Sequence, residues 1–567
     1  MPSCYRAVTT SAADRWRRIA TVSLVNARLV ASDLNLATAW EAIAHALPER
    51  PAVACGEVVR CWGAFENRAA RLAAALVDHG VGRNEKVALA LFNGCEYLEA
   101  EFAAFKVRAI PANVNYRYRL DEMRYVLDNA DASVLFFDAT LREVVDEVRK
   151  SVSSLKLLVE VGGDARCPWA APYESLIANA ASMPPIDRSG SDLWFLYTGG
   201  TTGMPKAVMW EHRGLLGGMQ ATFRPFGCDV PVNTDEVVTA ARSIAERGIE
   251  VRQLAASPLM HGTAGMSTKA TLTHGGMVIT LAAHSFDADE LFAVTERHRA
   301  TMLTIVGDAF SRPMLAAIER AEAAGSPYDL SSVRSIISSG IMWSEEVKNE
   351  FLRRYPVALV DILGSSEGTG IARQVASRNK RAATARFVLS DESQVFSDDG
   401  RVVEPGSSAT GRIAISFPMP LGYYKDEAKT DATFPTINGR RWSMPGDYAR
   451  VEADGSVVLL GRGSQCINTG GEKVFPEEVE EMLKTHAEVI DAIVIGMPDE
   501  RWGSAVTAIV ARAPGATVSS EALALLVRER LAPYKAPKRV IFVEHVARLV
   551  NGKPDFAWAK DVAAAST

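Results

Sequence analysis

The sequence predicts an α/β fold, with a large N-terminal domain of parallel or mixed sheets flanked by helices and a small mobile α+β C-terminal domain. Three observations predict it. The chain has 567 residues, which is too long for one ordinary core. Short apolar runs typical of buried strands alternate with segments of helical periodicity. After about residue 411 the runs shorten around glycine turns, and from residue 474 a helix, two strands, a helix and a strand follow.

The strands predicted for the large domain are short apolar runs, at 86–92, 134–137, 157–161, 193–196, 277–281, 301–306 and 357–362. A helix is expected at 287–298. The small domain is predicted to contain helices at 476–486 and 519–531, and strands at 492–495, 505–511 and 539–543. We therefore expect a leading segment at 1–35, a large domain at 36–463 and a small domain at 464–567.

The charge balance argues against nucleic acid as the main partner. The chain has 62 basic and 68 acidic residues and a net charge of -6, so it carries no overall basic field. No apolar run approaches the roughly 18 residues that a membrane span needs. The seven cysteines are scattered, with no CxxC spacing of the zinc or redox kind. These features predict small-molecule chemistry by a cytoplasmic protein with no transmembrane segment and with reduced thiols.

The densest chemical signal is the segment Tyr197-Thr-Gly-Gly-Thr-Thr-Gly-Met-Pro-Lys206. Its glycines allow backbone N–H groups to approach an anion, its threonines add hydroxyl donors, and Lys206 supplies a compact positive charge. The spacing differs from the GxxxxGK[ST] pattern of a P-loop. The residues predicted to bind phosphate are Thr198, Gly199, Gly200, Thr201, Thr202, Gly203 and Lys206.

This segment resembles the phosphate loop of the adenylate-forming superfamily, which includes acyl-CoA synthetases, firefly luciferases and peptide-synthetase adenylation domains. Gly364-Ser365-Ser366-Glu367 is similar to the acidic motif of that family. The resemblance implies that Glu367, with Thr201, holds the Mg²⁺ of ATP, and Mg²⁺ does prefer hard oxygen ligands. The family usually has an aromatic residue before the first glycine of this motif, where this chain has Leu363.

Three later motifs extend the resemblance. Asp447 resembles the aspartate that accepts hydrogen bonds from the ribose hydroxyls, and Arg462 resembles the ribose-binding arginine. Gln465 occupies the hinge position, where the family usually has Asp or Lys. Gly470 and Gly471 match the glycine loop that leads into the small domain. Asn551-Gly-Lys553 resembles the motif whose lysine reaches into the site during adenylation.

The resemblance also implies an acid-binding pocket. It assigns His261, Gly265 and Gly340 to this pocket, and Gly340 also to the adenine contact. The runs 208–210 and 499–503 are similar to those of bacterial fatty-acyl and steroid-side-chain CoA ligases. The resemblance thus implies an acyl-CoA synthetase that uses ATP, Mg²⁺ and coenzyme A. It would adenylate an apolar carboxylic acid, a fatty acid or a steroid side chain, and then form the CoA thioester with release of AMP and pyrophosphate.

Two alternatives come from other functional classes. Gly364-Ser-Ser366-Glu-Gly368 also fits the GxSxG nucleophile elbow of an α/β-hydrolase, which would make the protein an esterase with Ser366 as its nucleophile. Asp447 and either His486 or His545 follow in the chain order that such a triad requires. The second alternative is a non-catalytic acyl- or adenylate-binding protein on the same fold, because a fold does not fix an activity.

Overall fold

A computed structural model describes residues 33–163, 167–198, 204–381, 383–469, 472–499, 503–531, 533–549 and 553–566. The chain divides into two compact units. Unit 1 comprises the residues up to Thr384 together with Ser390–Glu392 and Ile415–Ser443. Unit 2 comprises Ala385–Leu389, Ser393–Ala414 and the residues from Met444 onward. The predicted boundary between residues 463 and 464 stays a prediction.

The strands are numbered along the chain: β1 Pro51–Cys55, β2 Val58–Cys61, β3 Lys86–Ala90, β4 Ile110–Asn113, β5 Ala132–Asp138, β6 Leu157–Val161, β7 Ala171–Pro172, β8 Leu193–Thr198, β9 Lys206–Glu211, β10 Arg252–Ala255, β11 Met277–Thr280, β12 Met302–Ile305, β13 Ser335–Ser339, β14 Ala358–Ser365, β15 Gly368–Ala376, β16 Arg386–Leu389, β17 Ser393–Phe396, β18 Thr410–Ile415, β19 Gly422–Tyr423, β20 Thr436–Ile437, β21 Arg440–Arg441, β22 Asp447–Val451, β23 Val457–Arg462, β24 Ile467–Thr469, β25 Glu472–Val474, β26 Val489–Asp499, β27 Gly503–Arg512 and β28 Arg539–Val543.

The α-helices are numbered in the same way: α1 Leu36–Ala46, α2 Trp62–Asp78, α3 Cys95–Lys106, α4 Leu120–Asn129, α5 Arg142–Val148, α6 Tyr173–Asn179, α7 His212–Gln220, α8 Thr234–Glu246, α9 Gly262–Thr273, α10 Ala288–His298, α11 Gly307–Ala323, α12 Glu345–Arg354, α13 Glu427–Thr433, α14 Pro476–Lys484, α15 Ser520–Arg530 and α16 Phe556–Ala565. Within the described ranges, no helix is both long enough and apolar enough to cross a membrane.

Unit 1 contains two sheets whose central strands are parallel. The strand order is β15-β14-β13-β12-β10-β11-β1-β2 in one and β19-β9-β8-β4-β3-β5-β6-β7 in the other. The central strands are short, mostly apolar and buried on both faces, as parallel strands covered by helices are. Antiparallel pairs flank the parallel strands, for example β14 with β15 and β8 with β9. The predicted α/β fold class is confirmed.

Helix α3 is buried along its length except at Glu96, and its buried residues include three charged ones, Glu99, Glu101 and Lys106. Each of them is paired with an opposite charge, because an unpaired buried charge would be costly. Glu99 bonds to Arg60 and Arg68, Glu101 bonds to Lys269, and Lys106 bonds to Glu41 and Glu66. Neighbouring helices and a neighbouring strand are therefore joined to α3 by ion pairs as well as by apolar contacts.

Unit 2 contains a mostly antiparallel group of strands in the order β17-β18-β22-β23-β16. It also contains the β24–β25 hairpin and a three-stranded sheet in the order β26-β27-β28, where β27 and β28 run parallel. Helices α14 and α15 pack against the three-stranded sheet through Val479, Leu483 and Leu523. Helix α16 covers part of that sheet with Ala559 and Ala563.

Candidate active site

The predicted phosphate loop connects two antiparallel strands of unit 1. Thr198 ends β8, Lys206 begins β9, and these two residues pair across the mouth of the connection. The loop is therefore held at its base by a hydrogen-bonded ladder that continues to the pair Leu193 and Glu211. Gly199, Gly200, Thr201, Thr202 and Gly203 lie outside the described residues.

The ammonium group of Lys206 forms an ion pair with the carboxylate of Asp426. Asp426 precedes helix α13 as its N-cap, and its Oδ1 accepts a hydrogen bond from the backbone N–H of Lys429 at 2.9 Å. The hydrogen bond from Lys206 is the main cause that lowers the pKa of Asp426, so this carboxylate stays ionised at neutral pH. Lys206 is thereby held at a fixed point beside the loop.

Glu367 lies at the tip of the hairpin between β14 and β15, where Ser365 pairs with Gly368. Two hydrogen bonds fix the backbone of the tip. The indole N–H of Trp210 donates to the carbonyl of Ser366 at 2.9 Å, and the hydroxyl of Ser443 donates to the carbonyl of Glu367 at 2.7 Å. Because Trp210 lies on β9, the strand that begins with Lys206 also supports Glu367.

The carboxylate of Glu367 accepts a hydrogen bond from the hydroxyl of Tyr423 at 2.7 Å, through Oε1. Tyr423 belongs to β19, which pairs with β9 so that Tyr423 faces Val208. Two adjacent strands thus carry Lys206 and the partner of Glu367. Glu367 itself belongs to a hairpin of the other sheet of unit 1, and its carboxylate contacts the edge strand β19 of the sheet that carries Lys206.

The hairpin geometry argues against the hydrolase alternative. A nucleophile elbow needs its serine on a sharp turn between a strand and a helix. Here Ser366 lies in a two-residue turn between antiparallel strands, and Gly364 approaches the opposite strand closely. A Cβ at Gly364 would lie 3.3 Å from the carbonyl oxygen of Gly368. Gly364, Ser365 and Ser366 therefore shape the hairpin that presents Glu367.

The residues predicted to line the acid pocket surround the start of helix α9. His261 is the N-cap residue of this helix, and its side chain makes no capping hydrogen bond. The hydroxyl of Thr263 lies 3.4 Å from the carbonyl of Ser339, the residue before Gly340. Gly340 has φ +101°, a conformation that L side chains rarely adopt. His261 and Gly340 therefore lie on neighbouring segments.

Gly265 is buried one turn further along α9. A Cβ at this position would lie 2.9 Å from the carbonyl oxygen of Leu259 and 3.5 Å from the ring of Trp194. The absence of a side chain at Gly265 allows α9 to pack closely against β8, which leads into the phosphate loop. The assignment of His261, Gly265 and Gly340 to an acid pocket stays a prediction.

Asp447 and Arg462 meet in unit 2. They pair across the antiparallel strands β22 and β23, with Arg462 Nε 3.3 Å from Asp447 Oδ1. Asp447 is only 9% exposed, whereas the side chain of Arg462 is partly open to solvent. The two residues that the sequence assigned to ribose binding are thus adjacent, with a carboxylate acceptor beside a guanidinium donor.

Helix α14 carries two acidic residues that affect one another, the partly exposed Glu477, which lies near this pair, and the buried Glu480. The carboxyl group of Glu477 packs over Gly461, which has φ +118° and could not accept a side chain there. Burial and the charge of Asp447 raise the pKa of Glu477 to about 7. Burial and the neighbouring Glu477 raise the pKa of Glu480 to about 8. Both groups are therefore partly protonated near neutral pH.

The family model for AMP-binding enzymes matches residues 40–424, and the model for the C-terminal domain of AMP-binding enzymes matches residues 478–553. The first match alone covers most of the chain. This chain belongs to the AMP-binding enzyme family. The family predicted from the sequence is confirmed.

Among relatives of this AMP-binding enzyme, the 3-oxocholest-4-en-26-oate–CoA ligase of Rhodococcus rhodochrous is 41% identical over 539 residues, covering 93% of this chain and 96% of the relative. The medium/long-chain-fatty-acid–CoA/3-oxocholest-4-en-26-oate–CoA ligase of Mycobacterium tuberculosis is 39% identical over 539 residues, with the same coverage. The crystal structure of the anthranilate CoA ligase AuaEII in complex with anthranoyl-AMP has a TM-score of 0.79 at 20% identity, covering 94% of this chain and 98% of that one. That last similarity concerns the fold.

The remaining predicted residues of this AMP-binding enzyme lie toward its C-terminus. Gln465 ends a short 3₁₀ turn directly after β23. Gly470 and Gly471 fall outside the described residues. The carbonyl of Lys553 accepts a hydrogen bond from the N–H of Leu549 at 2.8 Å, shortly before α16 begins. The hinge and the role of Lys553 stay predictions.

Sequence reasoning missed three residues that hold the site of this AMP-binding enzyme together. Tyr423 and Asp426 contact Glu367 and Lys206 directly, and Trp210 fixes the turn before Glu367. One signal was available. An aspartate followed by a run of helix-forming residues predicts an N-cap, which would have marked Asp426 as an ordered residue.

Proposed function

We propose that this chain is an AMP-forming acyl-CoA ligase that activates an apolar carboxylic acid as an acyl-adenylate and transfers the acyl group to coenzyme A. The observation that carries the proposal is that two paired strands support both charged groups, because β9 begins with Lys206 and β19 contacts the carboxylate of Glu367. A triphosphate with its metal ion needs both a cationic group and a carboxylate at such a place.

In the first half-reaction an acid carboxylate attacks the α-phosphorus of ATP and expels pyrophosphate to give the acyl-adenylate, although both reactants are negative. Lys206 reduces this repulsion as a point charge at the base of the phosphate loop. Its partner Asp426 is a neighbouring side chain, so the ammonium group can turn toward a phosphate oxygen without a change in the backbone. The threonines and glycines of the loop add hydroxyl and N–H donors.

Glu367 fits a Mg²⁺ ligand. Its carboxylate is partly exposed, Oε1 is engaged by an uncharged hydroxyl, and no cation pairs with it within the described ranges. Together with Thr201 it would hold Mg²⁺, which, when bound, would neutralise charge on the phosphate oxygens. Glu367 therefore serves to bind and orient, whereas Lys206 offsets charge.

Asp447 accepts hydrogen bonds from the ribose hydroxyls in this proposal, and Arg462 adds a donor beside it. The hinge near Gln465 lets the small domain adopt two poses. In one pose Lys553 approaches the acid and the α-phosphate. In the other pose the loop with Gly470 and Gly471 faces coenzyme A, whose thiol attacks the acyl carbon and expels AMP.

The acid is apolar in this proposal, and the two classes to compare are steroid side chains and fatty acids. The relatives named above are ligases of 3-oxocholest-4-en-26-oate and of medium- and long-chain fatty acids. Met260 directly precedes His261 and Met266 lies on α9, and both side chains are buried, apolar and adaptable in shape. We place the reaction in the cytoplasm because ATP and coenzyme A are available there, and the six cysteines described are free thiols.

The test is pyrophosphate release by the purified protein with ATP, Mg²⁺, coenzyme A and single acids, namely 3-oxocholest-4-en-26-oate, octanoate, palmitate and benzoate. We expect pyrophosphate and a CoA thioester, identified by mass spectrometry, with one of the first three. Glu367→Gln should lower the rate by about 100-fold or more. Glu346→Gln is the matched control, since this glutamate is 75% exposed on α12.

Three results would overturn the proposal. The first is the absence of pyrophosphate with every acid. The second is hydrolysis of p-nitrophenyl esters without ATP that is lost in Ser366→Ala, which would restore the esterase alternative. The third is binding of an acid and ATP with no turnover, which would indicate a non-catalytic binding protein.

A further inference from the structure

We propose that Tyr423 and Asp426 are positioning residues for adenylation, which orient Glu367 toward its metal ion and Lys206 toward the triphosphate. The inference rests on the proposed function. A segment of four residues, 423–426, contains the partners of both charged groups: Tyr423 contacts Glu367, and Asp426 contacts Lys206. The two functions of the phosphate site, binding the metal ion and offsetting charge, are thereby set by a single piece of backbone.

The segment is held rigidly along β9. The N–H of Leu421 donates to the carbonyl of Met209 at 2.9 Å, and the N–H of Tyr424 donates to the carbonyl of Ala207 at 2.9 Å. These bonds continue the β9–β19 ladder to within one residue of Lys206. A shift of the segment along β9 would break this register, so its side chains keep a fixed position relative to Lys206.

A second set of contacts closes the segment on itself. The hydroxyl of Thr430 accepts a hydrogen bond from the N–H of Tyr423 at 2.9 Å and donates to the carbonyl of Asp426 at 2.8 Å. Gly422 has φ +151°, and a Cβ there would collide with Thr430. The turn from strand to helix is thus tight, and it fixes the separation between Tyr423 and Asp426.

The segment is also anchored from its other side. Asp131 accepts a hydrogen bond from the hydroxyl of Tyr424 at 2.7 Å and pairs with Lys425 at 2.8 Å. The ring of Tyr424 packs against Phe195 of β8, with 4.9 Å between the ring centroids. Both strands of the phosphate-loop hairpin therefore contact this segment.

The contact of Tyr423 suits a carboxylate that binds a metal ion through one oxygen. The phenol is only 6% exposed and donates to Oε1 of Glu367, which fixes the plane of the carboxylate and directs Oε2 away from the phenol. Hydrogen-bond partners that orient metal ligands in this way typically contribute about 10–100-fold to metal affinity or activity. Asp426 orients Lys206 in a comparable way, because the four-carbon side chain of a lysine is otherwise flexible.

The first experiment compares wild type with Tyr423→Phe, which removes one hydroxyl and keeps the ring. ATP binding is measured by calorimetry with Mg²⁺ and with EDTA, and the ratio of the two Kd values reports the contribution of the metal ion. We expect this ratio to fall by about 10-fold or more in Tyr423→Phe. The Mg²⁺ concentration for half-maximal pyrophosphate release should rise by a similar factor. Thioester formation from supplied acyl-AMP and coenzyme A should keep its wild-type rate, because it needs no triphosphate.

Tyr328→Phe is the matched control, because it removes the same kind of bond, from a tyrosine hydroxyl to Asp289 Oδ1 at 2.6 Å, on the outside of α10. Tyr328→Phe should leave the ratio of the two Kd values and the Mg²⁺ requirement for pyrophosphate release unchanged. Asp426→Asn keeps an N-cap acceptor for α13 and removes the charge, and we expect its adenylation rate to fall by about 10-fold.

The outcomes separate the inference from the proposed function. If wild type releases no pyrophosphate with any acid, the proposed function fails. If wild type is active but Tyr423→Phe keeps the wild-type Kd ratio and Mg²⁺ requirement, the inference is wrong for Tyr423. A lower KM for ATP with unchanged turnover in Asp426→Asn would show that this carboxylate only competes with the nucleotide. Equal loss of both half-reactions in Tyr423→Phe would show a general structural role.

Discussion

Replacement of Lys269 by methionine should destabilise unit 1 strongly. Lys269 Nζ lies 2.7 Å from Glu101 Oε1, and the two side chains are 1% and 2% exposed. The ammonium group also donates to the carbonyl of Gly265 at 3.1 Å and lies 4.0 Å from the ring centroid of Trp194. Methionine fills a similar volume without a charge, so Lys269→Met leaves the carboxyl group of Glu101 buried and without its cation.

The magnitude follows from this burial. Removal of one partner from a buried ion pair typically costs about 3–5 kcal/mol, because the other charge is left uncompensated. The pair is not itself strongly favourable, since burial raises the pKa of Glu101 and lowers the pKa of Lys269, each toward the neutral form. The double variant Lys269→Met with Glu101→Leu should therefore recover at least half of the loss.

The assay is unfolding in urea and by scanning calorimetry, with the same transition compared among the variants. Lys150→Met is the matched control. Its ammonium lies 2.6 Å from Glu147, but the side chains are 51% and 60% exposed, so Lys150→Met should leave the free energy of unfolding nearly unchanged. The loss in Lys269→Met should shrink at lower pH. A buried acid whose folded pKa is raised destabilises the fold only as the pH rises above its unfolded value, so protonation of Glu101 removes the penalty.

Two results would refute this reasoning. A loss below about 1 kcal/mol at pH 8 in Lys269→Met would mean that Glu101 finds water or another partner. A double variant no more stable than Lys269→Met would mean that packing around Trp194, rather than the unpaired charge, sets the loss. Because α9 also begins at the predicted acid pocket, the KM for the acid should rise in Lys269→Met and recover in the double variant.

Three further predictions concern unit 2. Asp447→Ala should raise the KM for ATP by about 10-fold or more, because charge-assisted hydrogen bonds contribute about 1.5–3 kcal/mol each; an unchanged KM in steady-state kinetics would show a turn residue only. Lys553→Ala should lose about 10²–10³ in adenylation and keep thioester formation from supplied acyl-AMP, whereas equal loss in both half-reactions would indicate a structural role. The free energy of unfolding of unit 2 should fall as the pH rises from about 5 to 8, because Glu477 and Glu480, with raised pKa values of about 7 and about 8, must lose their protons while buried. Glu480→Gln should flatten this dependence in urea titrations at the two pH values, and an identical slope would contradict it.

The fold could be predicted from the sequence where periodicity is local. The strands expected at 157–161 and 539–543 match β6 and β28 residue for residue. The strand expected at 193–196 runs on to Thr198, because its last two residues still pair with β9. The hydrophobic pattern of the sequence could not predict which strands pair with each other. The placement of β19 beside β9 and of β4 beside β8 depends on partners distant in sequence, and so does the division of the strands between two sheets.

The same limit applies to the candidate site. The Gly/Thr loop and the motif around Glu367 stand out because their residues are contiguous. Tyr423 is 56 residues from Glu367, and Asp426 is 220 residues from Lys206, so no local spacing links them. The environment of Glu477 could not be predicted either, because its carboxyl group on α14 packs over Gly461 of β23. Contacts of this kind appear only after the sheets are assembled.

The charged residues of helix α3 constrain how the chain reaches its folded state. The partner of Glu101, Lys269, lies 168 residues later in the chain, whereas one partner of Lys106, Glu41, lies 65 residues earlier. Until the segment that carries Lys269 is present, burial of α3 would leave the charge of Glu101 unpaired in an apolar environment, so an N-terminal fragment that ends before Lys269 cannot complete this core. Loop closure over such a distance is slow compared with local pairing. We therefore expect α3 to stay hydrated during synthesis until the segment with Lys269 has left the ribosome, so that the order of synthesis delays its burial.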